Sequence, residues 1–195
     1  MTIDILEQEY LSKNLEPQTF HPGAMLTFTA EHYWLLREGV VKTYTWTEEG
    51  TPISFGYWST NDLIGYPTSP CYPFYAKCLT KVEAGFISAA QTRKIITLVQ
   101  RQIIQNEEIL FILRADKMYQ RLKQILIWLG QKFGREVGTD RVIQLRLTHQ
   151  DLAELIGATR VTITKLINQL ENEDFLFRPK RNTIALRQSF PEISI

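Results

Sequence analysis

Two cysteines, three histidines and no apolar run of about 20 residues exclude several classes of function for this 195-residue chain. Cys71 and Cys78 cannot supply all the ligands of an iron–sulfur cluster, and their spacing matches no zinc pattern. With no secretory leader visible, the chain is expected to be cytoplasmic and off the membrane. A structural disulfide is not expected there, so the two thiols read first as small residues packed in a sheet. Catalytic signatures are missing as well. His21, His32 and His149 belong to no Ser/His/Asp or Cys/His arrangement, and no Walker-type glycine loop is present. Neither an enzyme nor a metal site is expected. Charge of one sign is also lacking, because 22 Lys+Arg against 21 Asp+Glu give a formal net charge of +1.

That total conceals a gradient. Residues 1–90 hold 5 basic against 10 acidic side chains, residues 91–134 hold 8 against 3, and residues 135–195 hold 9 against 8. An acidic amino-terminal part should face away from any polyanionic partner.

The most informative stretch is Thr148 to Leu170. Leu152, Leu155 and Ile156 share one helix face, and Thr148 with Asp151 forms the Thr-x-x-Asp pattern of a capped helix start. Gly157 follows where a sharp reversal needs positive φ, and Thr159 is placed to cap a second helix that turns Ile163, Leu166, Ile167 and Leu170 inward. The other face of that helix carries Arg160, Val161, Thr164 and Lys165. This is a helix-turn-helix, which makes double-stranded DNA the expected partner, although the same geometry occurs in proteins that never touch DNA. The sequence after it weighs for DNA. Phe175 to Arg178, a turn at Pro179 to Asn182 and Thr183 to Leu186 read as a two-stranded wing with a cationic tip.

Upstream, from about Ala90 to Gly134, there is no proline, and Gly130 and Gly134 only close the segment. Two helices are expected. In the first, Ile96, Val99, Ile103, Leu110 and Leu113 fall at heptad spacing and Asn106 completes the pattern, a seam that suits pairing with a second copy. A polar residue at a seam can set register, or can be a local interruption in a helix that packs on its own domain. The second helix, about Lys117 to Phe133, should bury Leu122, Ile125, Leu126 and Leu129 beneath the helix-turn-helix, with Asp116 at the joint. Further upstream, Tyr33–Leu36, Val40–Trp46, Ile53–Trp58 and Lys77–Ile87 are rich in aromatic and β-branched residues. Pro22-Gly23, Glu38-Gly39, Glu49-Gly50 and Asn61-Asp62 punctuate them, and this spacing suggests a small antiparallel barrel.

A β-barrel, a long helix and a winged helix-turn-helix in this order resemble the Crp/Fnr family of transcription regulators, over nearly the whole chain. The run Trp34 to Lys42, the Glu49-Gly50 hairpin and Asn61 to Gly65 carry the resemblance in the barrel; Leu145 to Thr164 is most similar to the nitrogen-control regulators of cyanobacterial type. The implied fold class is α+β: a cyclic-nucleotide-binding-like antiparallel β-barrel (a double-stranded β-helix, 1–92), a dimerisation helix (93–116) and a winged helix-turn-helix (117–195). The implied function is that of a homodimeric, sequence-specific transcription regulator on an inverted repeat, with RNA polymerase as a further partner.

Residue by residue, the resemblance implies that Arg160 reads guanine and that Lys165 stands where the family usually has a second base-reading arginine. Lysine lacks the planar fork for that contact. Val161 replaces the glutamate of the cyclic-AMP-responsive members; it can touch a thymine methyl but cannot accept from cytosine N4, which implies a GTA-like half-site core rather than a GTGA-like one. His149, Gln150, Thr159 and Thr162 match phosphate-contact positions, Thr164 suits the same role, and Lys180 and Arg181 match the wing.

The effector cup departs from the family. Gly65 is followed by Tyr66-Pro67 rather than Glu, and no Lys or Arg occurs from Thr43 to Ala76, so a buried anion would lack its counter-charge. Cyclic nucleotide is therefore disfavoured. For 2-oxoglutarate, Phe74-Tyr75 fits the nitrogen regulators, but Pro73 stands where they have arginine, and Arg114 or Lys117 could supply only part of the charge. Three readings stay open: a cup filled by Tyr66, Phe74 and Tyr75, an apolar or neutral effector, or a redox or haem response through Cys71 and Cys78. No cofactor is predicted. The rival function is a small-molecule or redox sensor acting mainly through protein contacts.

Overall fold

In a computed structural model, the described residues are 15–29, 31–65, 72–88 and 92–187, with the backbone alone at 92–95. Tyr66, Pro67 and Cys71 lie outside them. The chain divides into two compact units that meet in sequence between Gln105 and Asn106, inside a helix.

The first unit holds seven strands: β1 (Pro17–Phe20), β2 (His32–Glu38), β3 (Val41–Trp46), β4 (Pro52–Trp58), β5 (Leu63–Ile64), β6 (Tyr75–Cys78) and β7 (Val82–Ser88). All pair antiparallel, in a four-stranded sheet of order β1-β7-β2-β5 and a three-stranded sheet of order β4-β3-β6. Both sheets contribute to one core, in which Trp34 and Leu36 of β2 meet Val41, Trp58, Ile64, Ala76, Cys78 and Ala84. This is the expected antiparallel β half, present as a roll of two sheets. The long run expected at Lys77–Ile87 is in fact β6 and β7, broken by a bend at Leu79-Thr80, while β1 and the two-residue β5 carry no periodicity that would reveal them. Strand alternation gives the four-stranded sheet a second buried face, where Leu35, Leu63 and Ile87 pack with Leu98.

Leu98 belongs to α1 (Thr92–Leu113). Its buried side is Leu98, Gln102, Ile109 and Ile112, spaced three to four residues apart or in multiples of that, as a single helix face requires. Asp62, in one of the expected turns, accepts from the backbone of Ser59 at 2.8 Å and from Gln105 Nε2 at 3.2 Å. That pair ties the turn to the helix.

The second unit contains α2 (Met118–Phe133), β8 (Gly134–Val137), β9 (Asp140–Ile143), α3 (His149–Ile156), α4 (Arg160–Asn172), β10 (Leu176–Lys180) and β11 (Thr183–Leu186). The four residues expected inward on α2 are fully buried, and the helix packs against α3, α4 and the β8–β9 hairpin. Each such leucine or isoleucine contributes about 1.5–3 kcal/mol by burial. Trp128 adds a polar tether, its indole N–H donating to Glu108 Oε2 at 2.8 Å. Gly130 lets a strand approach the helix closely, since a Cβ there would stand 2.8 Å from Leu186 Cδ1.

The wing is larger than expected. β10 and β11 extend through β9 to β8 as a four-stranded sheet of order β10-β11-β9-β8. The β8–β9 hairpin reverses at Gly138-Thr139, with Gly138 at φ +64°. That two-residue, glycine-bearing turn is the signal the sequence offers for it.

Candidate nucleic-acid interface

Thr148 caps α3 by the reciprocal arrangement its sequence predicts. Its Oγ1 accepts from the Asp151 N–H at 3.1 Å, and Asp151 Oδ2 accepts from the Thr148 N–H at 3.0 Å. Gly157 ends the helix in the left-handed region, at φ 72° and ψ 42°. Thr159 then caps α4, accepting from the Thr162 N–H at 3.1 Å, and Ile163, Ile167 and Leu170 go into the core, with Leu166 half-buried. Two helices so capped hold their crossing with few alternatives, which fixes what the outer face of α4 presents.

That face presents Arg160, Val161 and Lys165, all exposed, with Val161 65% accessible. Among the described residues neither cation has a carboxylate partner. Val161 thus stands exposed between two cations on the face opposite the core, where another molecule could reach all three side chains.

The expected phosphate-contact residues divide into two groups. Gln150 is exposed and donates to Glu154 at 3.0 Å, while Lys180 and Arg181 are exposed at the wing tip. Thr159 and Thr162 share a hydroxyl–hydroxyl bond of 2.8 Å at the start of α4. Thr164 and His149, by contrast, are engaged with one another: Thr164 Oγ1 donates to the Arg160 carbonyl at 2.9 Å and lies 2.8 Å from His149 Nδ1. Burial, followed by the cations of Arg178 and Arg160, pushes His149 below its ordinary 6.5.

Arg178 carries a role that the sequence does not announce. From β10 it reaches both Glu171 carboxylate oxygens and Asn168 Oδ1 on α4, at 3.2 Å for the last, and so fastens the wing to the second helix. The bond holds Glu171 below the usual carboxylate range. A basic residue seven positions after a glutamate across a helix–strand turn is a weak signal in a sequence. At the far end of α4, Tyr119 of α2 donates to Glu173; that hydrogen bond, with burial and the carboxylate charge, pushes the tyrosine up to about 12.

The seam residues of α1 lie largely open. Ile96, Ile103, Asn106 and Leu110 are exposed, with Ile103 at 51% and Leu110 at 55%, and Val99 and Leu113 are half-buried. Ile104 and Phe111, which fall outside the heptad pattern, are exposed beside them.

Of the cup residues, Phe74 and Tyr75 have different neighbours. Phe74 is 8% exposed, belongs to the core of the roll, and packs against Phe28 and Phe55 with ring centroids at 5.2 and 6.0 Å. Tyr75 follows strand alternation to the other side and stacks on Tyr44 at 5.3 Å. Gly65 is buried, and Arg114 is exposed in the second unit. Cys78 is fully buried in the roll, and burial pushes its thiol up from 9.0. Among the described residues no three His, Cys, Asp or Glu side chains gather as a metal would need, and no helix is long and apolar enough to cross a membrane.

With this geometry in hand, comparison with known proteins gives a consistent result. Residues 120–188 match the Crp-like helix-turn-helix domain. The chain is 37% identical over 171 residues to the regulatory protein CysR of Synechococcus elongatus, covering 86% of this chain and 81% of that one. It is 28% identical to the global nitrogen regulator of the same organism, over 90% of each chain. Among solved structures, a cyclic nucleotide-binding domain containing protein from Listeria monocytogenes superposes with a TM-score of 0.77 at 16% identity, over 93% of this chain and 95% of that one. A CRP/FNR-family transcriptional regulator from Thermus thermophilus gives 0.72 at 19% identity, over 88% and 93%.

Proposed function

The chain belongs to the Crp/Fnr family of transcription regulators, and on that premise we propose that it acts as a homodimer on an inverted-repeat DNA site, with RNA polymerase as a partner there. The observation that carries the reading is the outer face of α4: Arg160, Val161 and Lys165 exposed together on a helix held in place by α2, α3 and Arg178. Arg160 spans O6 and N7 of a guanine, Val161 meets a thymine methyl, and Lys165 contributes a point charge to phosphate or a further base. The half-site core is GTA-like. Gln150, Thr159 and Thr162 at the helix starts and Lys180 and Arg181 on the wing bind the backbone on either side.

The open apolar row Ile96, Ile103 and Leu110 of α1, with Asn106 setting register, supports pairing with a second copy. Two recognition helices then enter successive major grooves about 34 Å apart. In the roll, the packing of Phe74 on Phe28 and Phe55 supports a cup filled by the protein's own side chains, with no anionic effector. A redox response is disfavoured by the burial of Cys78, whose thiol stays protonated at neutral pH.

The test is a mobility-shift titration on palindromes with varied half-sites at physiological salt. A GTA-containing repeat should be bound at least about a thousandfold more tightly than random duplex. No preference over random DNA would remove the reading.

A further inference from the structure

One residue of the interface is engaged in a way that a simple phosphate contact does not explain. His149 opens α3, and its Nδ1 lies 2.8 Å from Thr164 Oγ1 on α4. Thr164 has a single hydroxyl proton, and 2.9 Å away stands the Arg160 carbonyl, which can only accept. The threonine oxygen is therefore the acceptor for an N–H at His149 Nδ1. A neutral imidazole with its proton on Nδ1 carries a bare lone pair at Nε2, and a bare lone pair cannot donate to a phosphate.

Burial first, and then the charges around the ring, disfavour a second proton in the free protein. Arg160 on α4 and Arg178 on β10 both act on the imidazole, and both are cationic. Glu171 on α4 pairs with Arg178, and of the carboxylates on its own helix Asp151 accepts from the Thr148 N–H and Glu154 from the Gln150 amide. A duplex laid against α4 reverses the sign of this field, because its phosphates outnumber the two arginines nearby.

We propose that His149 is a positioning residue for Arg160 that takes up a proton as the duplex binds. Through Thr164 it holds the first turn of the recognition helix, and in the complex its Nε2–H donates to a backbone phosphate. The inference rests on the DNA-binding reading above and adds to it a proton as a linked ligand. Its sign follows directly: a group protonated in the complex and neutral in the free protein makes affinity highest at low pH. Affinity then falls as pH rises through the pKa of the bound state.

The experiment measures binding of the full chain to the preferred palindrome and to random duplex, by fluorescence anisotropy at fixed ionic strength, between pH 5.5 and 8.5. Wild-type affinity for the palindrome should fall about tenfold over that range, the factor that goes with one unit of pKa difference between free and bound protein. His149→Gln should flatten the profile, and Thr164→Val should lower the ratio of specific to random binding several-fold while Thr164→Ser restores it. Should either variant fold poorly, two-dimensional NMR of the wild-type His149 ring, with and without duplex, reads its titration directly and should move to higher pH in the complex. A His149→Gln profile parallel to wild type, or an unmoved ring titration, overturns the inference and leaves the DNA-binding reading intact. Absence of specific binding at every pH removes that reading, and the inference with it.

Discussion

The second unit sets Arg160, Lys165, Lys180 and Arg181 on exposed positions of a helix and a wing, whereas the roll has no Lys or Arg between Thr43 and Ala76 and packs Trp34 and Phe74 inside, with Phe28 and Phe55 half-buried against the core. One leaves cations without partners on its surface, a costless arrangement in water that becomes favourable beside a polyanion. The other removes large rings from water, with Trp34 and Phe74 buried in its core. An exposed cationic face suits contact with a polyanion, whereas a core filled with rings serves stability, so the two units answer to different measurements.

The sharpest way to break that contrast is at Phe74. If the roll is closed, Phe74→Ala should lower stability by about 3–5 kcal/mol, as for other buried phenylalanines, because Phe28 and Phe55 cannot collapse fully into the gap. Urea denaturation followed by tryptophan fluorescence reports it. A variant as stable as wild type would mean that Phe74 lines an open cup.

The next effect lies on the other unit. Arg160→Ala should cost about 1–3 kcal/mol on the preferred palindrome and relax the requirement at its guanine, while melting as wild type does, because the side chain is exposed and supports no packing. Competition with half-sites varied at that base is the measurement. Equal losses on specific and random duplex would reduce Arg160 to a phosphate contact and blunt the contrast with the wing.

A smaller loss is expected at Gly157. Open space surrounds the position where a Cβ would go, so Gly157→Ala meets no clash, and only the left-handed backbone at φ 72° resists it. That strain is about 1–2 kcal/mol. Thermal unfolding should show it as a modest drop in Tm, with the palindrome still bound.

Gly157 and its neighbours also show which features of the fold are legible in the amino-acid sequence. Thr148, Asp151, Gly157 and Thr159 are legible because capping and reversal are local: each needs a particular side chain within three or four positions, and each of those bonds is present in the folded chain. The inward set of α2 is legible through its period. Features made by distant pairs are not. Arg178 reaches Glu171 and Asn168 across a turn, and β5 is a two-residue strand that exists only because β2 pairs with it. The cup is harder to read, because Phe74 and Tyr75 match a family pattern side by side in sequence while Phe74 joins the core of the roll and Tyr75 stacks on Tyr44.

The smallest expected effect separates the two kinds of cation on the second unit. Lys180 is exposed on β10 next to the wing turn and has no carboxylate partner among the described residues, so its loss leaves the fold alone. At the wing it can reach phosphate, where it releases one counterion on binding and reads no base. Lys180→Ala should therefore weaken palindrome and random duplex by the same factor, no more than about fivefold near 0.15 M salt, and reduce the slope of log affinity against log salt by about one. Salt titrations on both duplexes measure it. A loss confined to the palindrome would move Lys180 among the base-reading residues. A loss shared equally, set beside the selective loss for Arg160→Ala, would divide the exposed cations into those that hold the duplex and those that read it.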